Sequence, residues 1–270
     1  MFTNWTLKRT FRTKPLRVRA HGGGVADRQA GIPGFRQEEL SSRTILCAGA
    51  GGLMSAIGEA LARKGAGHII LCDEDTVEPS NLNRQKFYRR DLWRNKAHRL
   101  AHNLAAESFL GSTLTGIALN LMEAIRSGLV PAFDCIVCGI DDELAREEIA
   151  DYALAERLPL ITTAVSENGD SGYVHIQRPG ESCWGCAFPR ERRLRDDLAS
   201  YRAPCPGTPA IKDILMVVAG AAAYALDTLW MPRPISWNYR EFTLAGFVAD
   251  AARLVPRRPA CHLCGPPPAQ

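Results

Sequence analysis

The sequence lacks a hydrophobic segment long enough to cross a membrane. Its longest apolar run, from Ile214 to Leu226, has 13 residues and lies between two aspartates, whereas a membrane-spanning helix needs about 20. No secretory signal is recognisable either. We therefore expect a cytoplasmic protein with no membrane partner, in which this run forms a core or interface helix. The nine cysteines then favour metal binding or catalysis, because disulfides are rare in the cytosol.

Acidic residues are absent from the first 20 positions, which carry six basic ones: Lys8, Arg9, Arg12, Lys14, Arg17 and Arg19. The net charge of the whole chain is +4, so the remainder is close to neutral and composition gives no support for a nucleic-acid partner. The basic segment is compatible with an organelle transit peptide, but a disordered leader is the favoured interpretation. We predict a basic, disordered arm over residues 1–25 and a single domain over 26–270.

Strand-like and helix-like segments alternate after the arm, without an internal repeat. Residues 43–75 contain an apolar strand, a glycine turn, an amphipathic helix and a second strand, which is typical of a βαβ unit. The alternation continues to Val165 and predicts an α/β fold: a doubly wound, mostly parallel, Rossmann-like sheet with helices on both faces. A nucleotide-binding half is expected at about 40–165. An antiparallel strand, a crossover loop, the apolar helix and a short-stranded tail are expected at about 166–270.

The turn of the βαβ unit contains Gly49, Gly51 and Gly52, where backbone N–H groups at a helix N-terminus can bind phosphates. Asp73 ends the second strand, at the position of a ribose-binding carboxylate in dinucleotide-binding proteins. Met54 stands where the third glycine of the G-x-G-x-x-G pattern belongs. A merely structural glycine turn is therefore an alternative.

The polar residues after Asp73 distinguish between cofactors: Asp75, Asn81, Arg84, Gln85 and Lys96. Two cations so close together suit a polyphosphate, whose charge must be neutralised. Asp141 follows the next predicted strand at the same edge of the sheet and suits Mg²⁺, with a helix N-cap as its alternative role. ATP with Mg²⁺ is favoured, and an NAD-dependent oxidoreductase is the alternative from another class.

The cysteines include two C-x-x-C pairs, Cys183 with Cys186 and Cys261 with Cys264, separated by 74 residues. Each pair offers two thiolates from one tight turn, and together they can complete a closed, tetrahedral zinc site. His262 lies inside the second pair but is not expected to be a ligand. The strand cysteines are expected to pack as small hydrophobic residues: Cys47, Cys72, Cys135 and Cys138.

Several of these segments resemble the ThiF/MoeB/HesA superfamily of adenylating enzymes, which includes ubiquitin-activating enzymes. The resemblance is carried by "GAGGLMS", "DEDTVEPSNLNRQ", Lys96 at the start of the next predicted helix, "GIDDELAR" and the paired C-x-x-C motifs. It covers about residues 27–265. It implies ATP, Mg²⁺ and a structural zinc ion. It places Asp73 on the ribose hydroxyls, Asp141 on magnesium, and Asn81, Arg84, Gln85 and Lys96 at the phosphates or in the loop around them.

The resemblance also implies a homodimer. The segment "DRQAGIPGF" is similar to a family motif whose arginine reaches the ATP phosphates of the partner subunit, which would make Arg28 act in trans. Arg146 matches a position that orients the site. The departures from the family pattern, at Met54 and at Cys138-Gly139, remove no charge that the mechanism needs.

The implied reaction is adenylation of the C-terminal carboxylate of a small ubiquitin-like or sulfur-carrier protein ending in glycine, with release of pyrophosphate. Cys205 lies in the predicted crossover loop, where some family members carry a thiol nucleophile and others have none. The alternatives within adenylation are a ribosomal peptide or a transfer RNA as the substrate.

Overall fold

In the described part of the chain, nine strands form a single sheet with the order β1-β4-β3-β2-β5-β6-β7-β8-β9. The structure is a computed structural model that describes residues 10–12, 24–189, 211–245 and 250–265. The strands are β1 Thr10–Arg12, β2 Thr44–Ala48, β3 His68–Cys72, β4 Thr113–Ile117, β5 Cys135–Cys138, β6 Leu160–Val165, β7 Ser171–Gln177, β8 Tyr239–Thr243 and β9 Ala251–Arg253.

Helices cover both faces of this sheet. They are α1 Asp27–Ala30, α2 Gln37–Ser41, α3 Gly52–Lys64, α4 Lys96–Ala105, α5 Leu121–Arg126, α6 Glu143–Ala155, α7 Trp184–Ala187 and α8 Lys212–Asp227. One core cluster lies between the sheet and helices α3, α4 and α8. A second lies between the opposite face of the sheet and helices α5, α6 and α7.

The centre of the sheet is parallel from β4 through β3, β2 and β5 to β6. Almost every residue of these strands is buried, because helices cover a parallel sheet on both sides. Strands β7, β8 and β9 continue the sheet in antiparallel pairs. The predicted doubly wound sheet with an antiparallel C-terminal part is confirmed.

Helix α3 packs closely against α4 and α8. A side-chain carbon at Gly58 would lie 2.6 Å from Leu104 of α4, and one at Gly52 would lie 2.8 Å from Leu215 of α8. Distances this short exclude any larger residue at either position without displacement of its neighbour. The apolar run around Leu215 is therefore a core helix over most of its length, as predicted.

Strand β4, helix α5 and the edge strand β1 are among the elements that were not predicted. The segment that forms β4 and α5, "TLTGIALNLMEAIR", is mostly apolar but shows weak periodicity. Within the predicted arm, Thr10–Arg12 pair with β4 in antiparallel register. Without this pairing, β4 would present a row of unpaired backbone groups at the edge of the sheet.

Among the described helices, none is both long and apolar enough to span a membrane. The predicted crossover loop and Cys205 lie outside the described residues.

His175 of β7 is fully buried, and neither of its ring nitrogens has a hydrogen-bond partner in the described part of the chain. Burial lowers the pKa of this histidine to about 3, whereas the pKa of a histidine in an unfolded chain is about 6.5. At a pH between the folded and the unfolded pKa, His175 is protonated in the unfolded state but neutral in the folded state. The free energy of unfolding is therefore highest above the unfolded pKa and decreases as the pH falls below it.

We expect the free energy of unfolding to decrease by about 1.4 kcal/mol between pH 7.5 and 5.5 because of this one group. The variant His175→Leu should lack that part of the decrease in chemical denaturation at the two pH values. Thr162→Val is the matched control, since it removes the buried, unpaired hydroxyl at the position opposite His175 but no titratable group. An unchanged pH dependence in His175→Leu would contradict the assignment.

Candidate active site

The glycine turn and Asp73 meet at the carboxyl edge of the parallel strands. Gly49 follows β2 with φ of 92°, a left-handed conformation that favours glycine, and its N–H donates to the carbonyl of Cys72 (2.8 Å). The N–H of Ala50 donates to Oδ2 of Asp73 (2.7 Å). Gly51 and Gly52 then begin α3. The turn and the carboxylate thus hold each other in position.

Asp73 is half-buried, and its Oδ1 accepts a hydrogen bond from the N–H of Asp75 (2.9 Å). Burial raises the pKa of Asp73 above its ordinary value, while Lys96 and the two backbone N–H groups act in the opposite direction. A carboxylate oxygen accepts two hydrogen bonds, so each oxygen keeps one lone pair for a ligand hydroxyl. The role of Asp73 at a ribose stays a prediction.

The polar segment after Asp73 folds into a short 3₁₀ turn, Pro79–Asn81. Oδ1 of Asn81 accepts the N–H of Glu78 (3.0 Å), so this side chain orders the loop. Nη1 of Arg84 donates to the carbonyl of Ser80 (2.7 Å). Oε1 of Gln85 is buried and has no hydrogen-bond partner among the described residues. An unpaired buried acceptor is costly, and a ligand donor would satisfy it.

Lys96 is paired with Asp75, a residue to which the sequence assigned no role. Their side chains are 2.8 Å apart, and the side chain of Asp75 is 63% exposed. Asn95 donates to the carbonyls of Asp73 (2.8 Å) and Asp75 (3.1 Å), and it caps α4 by accepting the N–H of His98. Sequence analysis missed Asn95, although an asparagine directly before a helix is an N-cap signal.

Lys86 is a further residue that the sequence did not single out. Its Nζ lies 2.8 Å from Glu59 of α3 and 2.8 Å from Glu107 after α4. Its N–H donates to Oγ of Ser55 (3.0 Å), and its carbonyl accepts from Asn103 (2.9 Å). These four contacts fix the residue after Gln85 against two helices. No sequence signal reveals them, because the partners are distant along the chain.

Asp141 and Asp142 follow β5 at the same edge. Asp142, rather than Asp141, is the N-cap of α6 and accepts the N–H of Ala145 (2.8 Å). The capping role considered for Asp141 therefore belongs to its neighbour, and Asp141 itself is exposed. Arg146 is buried and donates to the carbonyl of Ile140 (2.8 Å), which fixes the turn that carries Asp141.

Arg28 is not at this edge. It lies on α1, which is attached through Gln29 to the carbonyl of Lys64 (3.2 Å) at the end of α3. The 13-residue helix α3 begins at the glycine turn and is about 20 Å long, which is longer than an arginine side chain. Within one chain, the structure therefore does not bring Arg28 to the other predicted site residues.

The two C-x-x-C pairs converge although 74 residues separate them in the sequence. All four sulfur atoms lie within 4.8 Å of one another. The Cys183–Cys186, Cys183–Cys261 and Cys186–Cys264 sulfur distances are 3.8, 3.5 and 3.4 Å. Four thiolates around one zinc ion at about 2.3 Å lie about 3.8 Å apart, so the cluster fits a closed metal site.

His262 does not belong to this cysteine cluster; its Nε2 lies 3.1 Å from Oε1 of Glu147 on α6. The strand cysteines are buried as predicted. Burial raises the pKa of Cys72 to about 12 and that of Cys138 to about 11, so both are protonated and unreactive near neutral pH.

A doubly wound sheet with a glycine turn and charged side chains at its carboxyl edge defines a nucleotide-binding type of α/β protein. The chain belongs to the ThiF family, whose family model matches residues 26–262. The resemblance found in the sequence is thereby confirmed.

Individual relatives differ in how much of their length the chain covers. It is 25% identical over 247 residues to the molybdopterin-synthase adenylyltransferase of Escherichia coli, covering 88% of this chain and 95% of the relative. It is 26% identical over 246 residues to an E. coli protein, the ATP-dependent ubiquitin transferase-like protein Cap2. There the match covers 84% of this chain but only 41% of the relative.

A solved structure of E. coli MccB with MccA-N7isoASN has the same fold. The TM-score is 0.70 at 22% identity, over 85% of this chain and 69% of MccB.

Proposed function

We propose that the protein is a cytoplasmic adenylyltransferase that activates the C-terminal carboxylate of a small ubiquitin-like or sulfur-carrier protein with ATP and Mg²⁺. The observation that supports this most is the meeting of the glycine turn, Asp73 and the Asn81–Lys96 segment at one edge of the sheet in a ThiF-family chain. The relatives named above as a molybdopterin-synthase adenylyltransferase and an ATP-dependent ubiquitin transferase-like protein support the choice of carrier.

The residues present fit ATP. Asp73 would accept the ribose hydroxyls, and the free N–H groups at the start of α3 would face phosphate. Arg84 and Lys96 would neutralise the phosphates, with Asn81 and Gln85 ordering the loop. For this, Lys96 exchanges Asp75 for a phosphate. The side chain of Asp75 is 63% exposed and can turn to solvent, while that of Lys96, 13% exposed, stays in place.

Asp141 would hold Mg²⁺, which would supply positive charge to the leaving pyrophosphate. An oxygen of the carrier's terminal carboxylate attacks the α-phosphorus of ATP, the bond to the bridging oxygen breaks, and pyrophosphate leaves. A carboxylate is already an anion at neutral pH, so the site needs no general base. Positioning and charge stabilisation carry the reaction, in agreement with the cationic character of Arg84 and Lys96.

Binding of nucleotides separates this proposal from an NAD-dependent oxidoreductase. In isothermal titration calorimetry, ATP with Mg²⁺ should bind and NADH should not. Lys96→Ala should weaken ATP binding, with Lys212→Ala, on the exposed start of α8, as the control. Binding of NADH without binding of ATP would exclude the proposed function.

We further propose that two copies of the chain form the active enzyme. On α8, Met216 is 59% exposed and Val217 is 38% exposed. Together with Tyr224 and Trp237 they line a groove of about 450 Å³ between α8 and β8. An exposed apolar surface of this kind is typical of a protein interface. The N-terminal segment lies close by, since the N–H of Arg36 contacts the sulfur of Met231, which follows α8. Arg28 would then reach the nucleotide of the partner subunit.

The four-cysteine cluster is proposed to hold a structural zinc ion. It would join α7 to the C-terminal segment, and all four thiolates are used, so no position remains for catalysis. Cys205 as the acceptor of the activated carrier stays a prediction from the sequence.

Zinc content tests the cluster. The double variant Cys261→Ser/Cys264→Ser should lose the bound metal and about 4 kcal/mol of the free energy of unfolding, since loss of a structural metal is among the largest single effects. Mass spectrometry of the metal should give one zinc ion per wild-type chain and none in the variant. Cys135→Ala, a buried strand cysteine, is the control and should keep its zinc. Full zinc content in the double variant would refute the assignment.

A further inference from the structure

A second group of arginines lies at the edge of the sheet opposite the proposed nucleotide site. Arg157 follows α6, Arg178 follows β7, and Arg257 precedes the second C-x-x-C pair; all three line one cavity of about 230 Å³. Strand β6 begins at Leu160 and pairs there with Gln177, the end of antiparallel β7. The cavity is therefore at the amino ends of the parallel strands, whereas the glycine turn is at their carboxyl ends.

Two of the three guanidinium groups are each oriented by a hydrogen bond that uses only one of their N–H groups. Nη2 of Arg178 donates to Oγ1 of Thr228 (2.9 Å), and Nη2 of Arg257 donates to the carbonyl of Cys264 (2.8 Å). A guanidinium group has five N–H donors, so each keeps several for a ligand. Arg157 has a left-handed backbone, with φ of 55°, which is uncommon for a residue other than glycine.

The arginines that line the cavity favour an anionic ligand. The single carboxylate among the lining residues is that of Glu181. Its Oε2 lies 3.7 Å from Nη1 of Arg178, and its side chain is 52% exposed, so the attraction between the two is weak. Three guanidinium groups exceed this one carboxylate by two positive charges. Cys264 also lines the cavity, and the proposed four-thiolate zinc cluster, with a net charge of about −2, would offset part of this excess. A phosphate group carries about −1.5 to −2 at neutral pH, and guanidinium groups bind its oxygens in pairs.

We propose that this cavity binds a phosphate group, either as inorganic phosphate or as a phosphate ester on another molecule. Phosphate is favoured because it offers oxygens that more than one guanidinium group can bind in pairs at the same time. The site is separate from the nucleotide edge, so it adds a second anion site to the protein and does not depend on the adenylation reaction.

The test is isothermal titration calorimetry of the full chain with inorganic phosphate and, separately, with phosphoserine. A saturating, non-hydrolysable ATP analogue with Mg²⁺ is present to block the other edge. Arg157→Gln and Arg257→Gln should each weaken phosphate binding about tenfold, because each removes a charge-assisted contact. Glu181→Gln should strengthen it about threefold, because it removes the repelling charge. Arg126→Gln, an exposed arginine paired with Glu148, is the control.

The opposite signs expected for the arginine and glutamate variants separate a binding site from a loss of folding. Tighter binding of phosphoserine than of inorganic phosphate would identify an ester as the ligand, and the reverse would identify the free ion. Equal affinities in wild type, Arg157→Gln, Arg257→Gln and Glu181→Gln would overturn the proposal. Since only binding is measured, this result is independent of whether the protein adenylates a carrier.

Discussion

Asp141→Asn is expected to lower carrier-dependent exchange between ATP and pyrophosphate by about a thousandfold. The substitution removes the negative charge that would hold Mg²⁺ against the phosphates, and losses of this order follow removal of one pre-positioned electrostatic group. The fold should be retained, because Asp141 is exposed and the helix cap is supplied by Asp142. Exchange of radiolabelled pyrophosphate into ATP measures the first effect, and thermal unfolding measures the second.

Asp142→Asn is the matched control for this experiment. It makes the same chemical change one residue away, and asparagine is as good an N-cap as aspartate, so exchange should stay within about threefold of wild type. Wild-type exchange in Asp141→Asn would remove Asp141 from the site. Equal losses in both variants would assign the effect to the turn before α6 instead of the magnesium ligand.

Arg28→Ala should also abolish most of the exchange, and mixing it with Asp141→Asn should restore activity. If Arg28 acts on the partner subunit, a mixed dimer has one site with both residues intact and one site with neither. Random reassortment of equal amounts gives mixed dimers in about half of the population. The mixture should therefore show about a quarter of the wild-type exchange.

The complementation result depends on the position of Arg28 at the far end of α3, away from the site of its own chain. Each variant measured alone gives the baseline. Arg126→Ala mixed with Asp141→Asn is the control for mixing and should show about half of the wild-type exchange, because every subunit that keeps Asp141 then has an intact Arg28 on its partner. A mixture of Arg28→Ala and Asp141→Asn that does not rise above the baseline would place Arg28 in its own site or outside catalysis.

The parts of the fold that could be predicted are those with strong local signals. The strand, glycine turn and helix over residues 44–64 and Asp73 at the end of the next strand have both the periodicity and the spacing of a βαβ unit. Strand β4 was missed because its sequence, "TLTGI", has little apolar alternation, and it is recognised as a strand only through its pairing with β3. Strand β1 was missed for a similar reason, since it depends on β4.

The candidate site, too, could be predicted only where the local sequence carries a signal. Local sequence could indicate which side chains belong to the edge, but not what they contact without a ligand. Asp75 pairs with Lys96, and Lys86 is clamped by Glu59 and Glu107, because the folded chain brings together residues that lie about 20 positions or more apart. The cysteine cluster could be proposed from its two pairs, yet only the fold shows that the pairs meet.

Carrier-dependent exchange of pyrophosphate into ATP tests the central proposal most directly. The protein is incubated with ATP, Mg²⁺ and a small carrier that ends in two glycines, and then with the same carrier whose terminal carboxylate is blocked as an amide. We predict exchange with the free carboxylate and none with the amide, because the carboxylate oxygen is the attacking atom. Exchange that is equal with both carriers, or absent with every glycine-ending carrier while NADH binds, would contradict the account.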